Sequence, residues 1–161
     1  MLASSSASTF SWISTIGVQS PRPHRWLISA TVEMTSALHP SGTDRVAEVA
    51  RRIQYRDFPL IVNIQGDEPF IDALHLSEAI RLVREGWDVG TVAAKIRTRE
   101  EWRSPSVVKV VRGEDGGALY FSRALVPYPR TPGLVPPLAH VGLYGYTRAA
   151  LEHGAQIPLA V

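Results

Sequence analysis

The stretch Pro59 to Ile71, PLIVNIQGDEPFI, changes character in its middle. Leu60, Ile61 and Val62 form an uninterrupted apolar run, and Gln65, Gly66, Asp67, Glu68 and Pro69 follow almost at once. Such a run suits a strand covered on both faces, the pattern of a parallel sheet. Gly66 directly after the strand permits a close backbone approach or a positive φ. Asp67 then stands at the carboxyl end of a strand, where open α/β sheets bind their ligands. It is a hard oxygen ligand suited to magnesium, which takes one or two carboxylates together with phosphate oxygens and water. Gln65 carries an amide donor and an acceptor and can read a base edge. Pro69 stiffens the exit. The competing reading is a polar turn in which Asp67 or Glu68 caps the next helix.

The flanking sequence supplies the elements around this strand. In SGTDRVAEVARRI the apolar residues Val46, Val49, Ala50 and Ile53 recur at helical spacing and define one face of an amphipathic helix. Ser41 and Thr43 are candidate N-caps. Asp44 and Glu48 lie early and Arg51 and Arg52 late, as the helix dipole favours. HLSEAIRLVREG repeats the pattern with Leu76, Ala79, Ile80 and Val83, and Gly86 is its stop signal. DVGTVAAKI reads as a strand, and VVKVVR–GEDGG–ALYFSRALV as a hairpin. A proline-rich loop spans Pro127 to Pro137, HVGLYGY reads as a last strand and TRAALEHG as a short helix. There are no internal repeats. Helices alternating with strands, then an antiparallel excursion, predict an α/β domain with a mixed sheet.

Composition narrows the class. A chain of 161 residues suffices for one domain with a real core. Its 45% hydrophobic and 20% charged residues are those of a globular protein. A net charge of +2 gives no general attraction to nucleic acid or to a membrane surface. The absence of cysteine excludes a disulfide framework, thiolate zinc sites and a cysteine nucleophile. No apolar run is long enough to span a bilayer. Residues 1–30 are rich in serine, contain arginine and lack any acid before Glu33. That is the composition of an organellar transit peptide, or of a mis-assigned start. Either way residues 1–30 are expected to stand outside the core.

Three further constellations carry chemistry. In HPSGTDR, the backbone N–H groups of Ser41, Gly42 and Thr43 open a helix and offer an anion site, to which Arg45 adds a fixed fork of donors. The plainer reading is a capped helix with a surface arginine. In LYFSR, Arg123 ends a strand and offers a guanidinium to a carboxylate or phosphate, unless it is simply solvated. In HVGLYGY, alternation puts His140, Gly142 and Tyr144 on one face and Val141, Leu143 and Gly145 on the other. The first face is either a polar wall for a ligand or a satisfied core histidine packed by tyrosine.

Taken in order, HPSGTDRVAEVA, IVNIQGDEP, VVKVV with ALYFSR, and HVGLYGY closely resemble the 3-deoxy-manno-octulosonate cytidylyltransferases, or CMP-Kdo synthetases. The resemblance covers about Val32 to Arg148. It implies a Rossmann-like nucleotidyltransferase fold with a mixed sheet, in a homodimer. It implies the reaction of CTP with Kdo to give CMP-Kdo and pyrophosphate, with Mg2+, in the cytoplasm, for lipopolysaccharide synthesis. By position, Ser41, Gly42 and Arg45 line the cytidine and phosphate side, Gln65 contacts the nucleotide, and Asp67 holds the metal and is the catalytic carboxylate. Arg123, His140 and Tyr144 face the sugar acid, whose carboxylate suits Arg123. Neither nucleic acid nor membrane is an implied partner.

The sequence also departs from that family. An early strand and loop, whose arginine and lysine grip the triphosphate there, has no counterpart: residues 1–30 contain no lysine. A later segment with sugar contacts and a second metal aspartate is not matched either. The expectation is a nucleotidyltransferase domain over 31–161, incomplete at both ends, with weak or no turnover. The alternatives are a non-catalytic remnant or nucleotide-binding module of the same family, and another sugar nucleotidyltransferase or metal-dependent glycosyltransferase.

Overall fold

The structure, a computed structural model, describes residues 11–18, 28–66, 71–128, 130 and 137–153. It divides into two compact units, Met1–Asp57 and Phe58–Val161.

In the first unit, β1 (Ser11–Val18) and β2 (Ile28–Thr35) form a two-stranded antiparallel sheet in register from Ser11 opposite Thr35 to Val18 opposite Ile28. Composition alone hid β1: the serines around it obscure Ile13, Thr15, Ile16 and Val18, all β-branched. The rest of the stretch expected to stand apart, residues 1–10 and 19–27, lies outside the described residues. α1 (Gly42–Ala50) follows, and Ser41, rather than Thr43, is its cap: it is extended and accepts a hydrogen bond from the Asp44 amide. Ala47, Val49 and Ala50 are buried. The apolar stripe ends one turn earlier than its period predicts. Arg52 leaves helical geometry (φ −65°, ψ 145°), a separate 3-10 turn covers Ile53–Tyr55, and Ile53 is 67% exposed. Arg52 has other partners to satisfy, since its guanidinium bonds Glu33, Glu48 and the Met34 carbonyl.

The second unit is an open sheet organised on its latest strand, β7 (Leu138–Thr147). β4 (Val89–Lys95) lies along one side of β7. On the other side β3 (Leu60–Ile64) pairs with Leu143 to Thr147, and β5 (Lys109–Arg112) pairs with Leu138 and Ala139. β5 turns back into β6 (Ala118–Ser122) as the expected hairpin. All the described pairings are antiparallel, so the α/β class stands but the sheet is antiparallel rather than mixed. The parallel environment expected for Leu60–Val62 is not what its apolar run reports. Leu60 to Asn63 are all half-buried, and because successive residues face opposite ways, both faces are partly covered whatever the strand direction.

α2 (Ala73–Arg84) is capped by Asp72, which accepts from the Leu74 amide at 2.8 Å. It is followed by Gly86 in the left-handed region at φ 105°. The helix packs across β4 and β7, and the reason is local. Gly90 and Gly145 oppose each other across the β4–β7 ladder. A Cβ on Gly90 would stand 2.6 Å from the Ala79 carbonyl oxygen and 2.9 Å from Leu82 Cβ. One on Gly145 would stand 3.0 Å from the same oxygen. The glycine pair is thus a seat for the helix backbone, and Ala79 on it is wholly buried. α3 (Arg99–Arg103) and α4 (Arg148–Glu152) are short, capped by Thr98 and Thr147. Leu143, Tyr146, Val110, Ala150 and Leu151 complete the core. Among the described residues no helix is long and apolar enough to cross a membrane.

Gly90→Ala forces a methyl against a main-chain oxygen that cannot rotate away. It is expected to destabilise the protein by about 1–3 kcal/mol, with Gly145→Ala milder, as read by urea denaturation. A Gly90→Ala protein as stable as the parent would refute the seat.

Candidate functional site

In the first unit the HPSGTDR loop is held from behind. Glu48, expected early in the helix, stands instead on the far half of α1; it accepts from the Ser36 amide at 3.0 Å and meets His39 Nε2 at 2.6 Å through one oxygen. Its other oxygen takes Arg52 Nη2 at 2.9 Å. Arg52 also pairs with Glu33, which accepts the Tyr55 hydroxyl at 2.7 Å. These donors, the Ser36 amide first, hold the Glu48 carboxyl far below its ordinary range, at about 2. The Glu33 carboxyl is likewise lowered, chiefly by Tyr55. The network ties residues 33–39 to the helix, and so sets the approach to Ser41 and Gly42. Ser41 and Gly42 are exposed at the helix start, and Arg45 is half-buried one turn on. Its Nη1 is shielded from solvent without a hydrogen-bond partner among the described residues.

In the second unit the strand end after β3 lies beside β7. The Gln65 amide donates to the Gly142 carbonyl at 3.0 Å, which extends the β3–β7 ladder by one residue. Gln65 and Gly66 are exposed there. Asp67, the expected metal carboxylate, lies outside the described residues, as does Glu68. The cap of α2 is Asp72.

Along β7 runs an aromatic row. His140 and Tyr144 have ring centroids 5.1 Å apart, and Tyr144 stacks on Tyr146 at 6.0 Å. Phe121 of β6 meets His140 edge-on at 4.9 Å. Burial is the first cause, and neighbouring Tyr146 the second, that push the Tyr144 phenol up to about 12. Its hydroxyl therefore keeps its proton at neutral pH and can donate. The expected sidedness of this strand holds: Leu143 is fully buried and Gly145 lies under α2, while His140 and Tyr144 are half-buried on the other face.

Arg123 is placed differently from His140 and Tyr144. It is exposed, and its Nη1 donates to the Pro105 carbonyl at 2.8 Å. Lys109 holds the same corner from inside. Its side chain is fully buried, and Nζ donates to the carbonyls of Ser104, Val107 and Arg123 at 3.0, 2.8 and 2.6 Å. Burial, then the Arg123 charge, lowers its pKa. Three carbonyls use all three ammonium protons, which is how a buried lysine is tolerated.

The structure thus joins Gln65, His140 and Tyr144 along β7 and gathers Ser41, Gly42 and Arg45 at the start of α1. Arg123 is engaged at a loop corner. Sequence reasoning missed Thr91, Phe121, Lys109 and the Glu48 network. A lone threonine in DVGTVAAKI and a lone lysine in VVKVV were the available signals. Among the described residues no group of three or more His, Asp or Glu side chains is arranged to hold a metal ion.

A cytidylyltransferase family model matches residues 26–157. The 3-deoxy-manno-octulosonate cytidylyltransferase of Gemmatimonas aurantiaca is 44% identical over 133 residues, 79% of this chain and 51% of that protein. The enzyme of the same name from Herminiimonas arsenicoxydans is 39% identical, over 82% of this chain and 56% of its own length. A solved CMP:2-keto-3-deoxy-manno-octonic acid synthetase in complex with CTP superposes with a TM-score of 0.68 at 37% identity. That match covers 77% of this chain and 51% of that one. The chain spans about half the length of these curated relatives.

The Glu48 network has a pH signature. A carboxyl with a depressed folded pKa adds stability that is complete above its ordinary value of 4.5 and is lost as pH falls toward about 2. Glu48→Gln is expected to lower the thermal midpoint at neutral pH. The difference from the parent should shrink steadily on acidification and vanish near that lower limit. A constant offset across the acid range would show that ionisation of Glu48 is not what ties the loop.

Proposed function

The chain belongs to the cytidylyltransferase family, and from that premise we propose that it transfers CMP from CTP to the sugar acid Kdo. Pyrophosphate is released, and CMP-Kdo serves lipopolysaccharide synthesis in the cytoplasm. The observation that carries this reading is sequence identity of 39–44% to proteins of that one name over about four-fifths of the chain. A CTP-bound synthetase among the similar solved structures supports the nucleotide.

Within the reading each described group has work to do. The exposed N-terminus of α1, with Ser41 and Gly42, offers backbone N–H groups to the nucleotide. Arg45 brings a permanent charge with an unused donor to the phosphates. Gln65 contacts the cytidine. His140 and Tyr144 bind the sugar acid, Tyr144 as a donor that stays protonated. Arg123 meets the sugar carboxylate with donors beyond the one given to Pro105.

Asp67 is the carboxylate for a divalent ion, Mg2+ in this proposal. The donor chemistry fits: in the sequence a hard oxygen ligand follows directly on Gln65 and Gly66, which are exposed beyond the end of β3. When bound, such an ion neutralises charge on the phosphates. The anomeric hydroxyl of Kdo attacks the α-phosphorus and gives up its proton to solvent, the bond from the α-phosphorus to the oxygen bridging to the β-phosphorus breaks, and pyrophosphate leaves with the electron pair. The chain's contribution is to hold the two reactants in line and to supply fixed donors where charge develops. The working assembly in this proposal is a homodimer.

The test is pyrophosphate release by the full chain with Mg2+ and Kdo, comparing CTP with UTP, ATP and GTP. Dependence on both CTP and Kdo is expected, and Asp67→Asn should lower the rate by roughly 100-fold or more. CTP binding without release would assign the alternative role of a nucleotide-binding module. A chain that neither binds CTP nor turns it over would overturn the reading.

A further inference from the structure

Thr91 has a hydroxyl with two contacts that together fix a third group. Its Oγ1 donates to the Leu143 carbonyl at 2.8 Å and lies 2.9 Å from His140 Nε2. A hydroxyl has one proton. With that proton on the carbonyl, Oγ1 can only accept from the imidazole, so Nε2 must carry hydrogen.

The sheet explains why this threonine is committed to Leu143. The β4–β7 register slips at this point: Thr91 opposes Tyr144, yet the next residue, Val92, opposes Val141. Gly142 and Leu143 are passed over, and β4 gives neither a residue partner. The Thr91 hydroxyl fills the gap at the Leu143 carbonyl, beside a side chain that is completely buried. Because Thr91 opposes Tyr144, its side chain shares the face of the aromatic row. The imidazole is then held on three sides: edge-on by Phe121, at a tilt by Tyr144, and at Nε2 by Thr91.

We propose that Thr91 is a positioning residue, which uses the slip in the ladder to lock His140 in the Nε2–H tautomer and in one orientation for recognition of the sugar acid. The proposal rests on the reading of His140 as a sugar-acid ligand. Thr91 touches no reactant; it decides what the histidine presents.

The tautomer can be read in the unmodified protein. Long-range 1H–15N spectra of histidine-labelled full chain, at a pH where the ring is neutral, should show His140 with a protonated Nε2 and an unprotonated Nδ1. His140→Gln identifies the signals. Thr91→Val should give the other tautomer or a mixture, and Thr91→Ser should restore the parent pattern. Kdo binding should weaken on the order of 10-fold in Thr91→Val, as for other partners that orient a histidine ligand, recover in Thr91→Ser, and leave CTP affinity unchanged. A protonated Nδ1 in the parent, or a tautomer indifferent to Thr91→Val, would overturn the proposal at Thr91 itself. That first measurement holds even if the valine variant does not fold. A parent that shows the Nε2–H form but does not bind Kdo would overturn it through the reading of the site instead.

Discussion

The carbonyl of Ala79 rests over two opposed glycines, and the second unit depends on that contact. At Gly90 an added Cβ would stand 2.6 Å from the Ala79 oxygen, too close to fit beneath the helix, and at Gly145 one would be tight at 3.0 Å. α2 therefore lies closer to the β4–β7 pair than side chains would normally permit. This fixes more than a helix. Gly145 and Leu143 point toward α2, so the even positions of β7 must point the other way, and His140, Tyr144 and Tyr146 form their row on that face. The helix seat and the candidate sugar-acid wall are two sides of one strand.

Polar groups rather than apolar ones fix the approaches to the functional residues. In the first unit one carboxylate, Glu48, gathers a main-chain amide, an imidazole and a guanidinium. In the second, the Lys109 ammonium gathers three carbonyls. Both devices let an irregular segment keep its backbone polar groups satisfied while it carries residues that need exact placement. A packed apolar side chain could fill the same space but would not specify which carbonyl or amide lies where.

Elements with strong local signals were legible in the sequence. Ser41, the helix over Ala73–Arg84, the GEDGG hairpin and the strand carrying His140 and Tyr144 all announced themselves through caps, periods or turn residues. Non-local relations were not legible. Nothing in LIVNI says that its partner lies some eighty positions later and runs the opposite way. Ile53 matched the helical period but lost its place because Arg52 had better bonds outside the helix. For the candidate site, residues at strand ends and helix starts could be named from type and order. Those acting through a second residue, such as Thr91 and Lys109, could not, because their meaning lies in register and burial. The family was legible because several short motifs occur in one order, a signal much stronger than any of them alone.

The position of β7 in the chain has a consequence for how the molecule is made. β3, β4 and β5 all emerge from the ribosome before the strand that joins them exists. Until Leu138–Thr147 is synthesised, the main associations open to the second unit are those between neighbours in sequence: α2 with β4 and β3, and β5 with β6. The sheet then closes late, through contacts of long sequence separation, which is the slow and exposed way to assemble. A nascent chain paused before Leu138 would hold its secondary structure in separate pieces, with the interior of the protein still facing water.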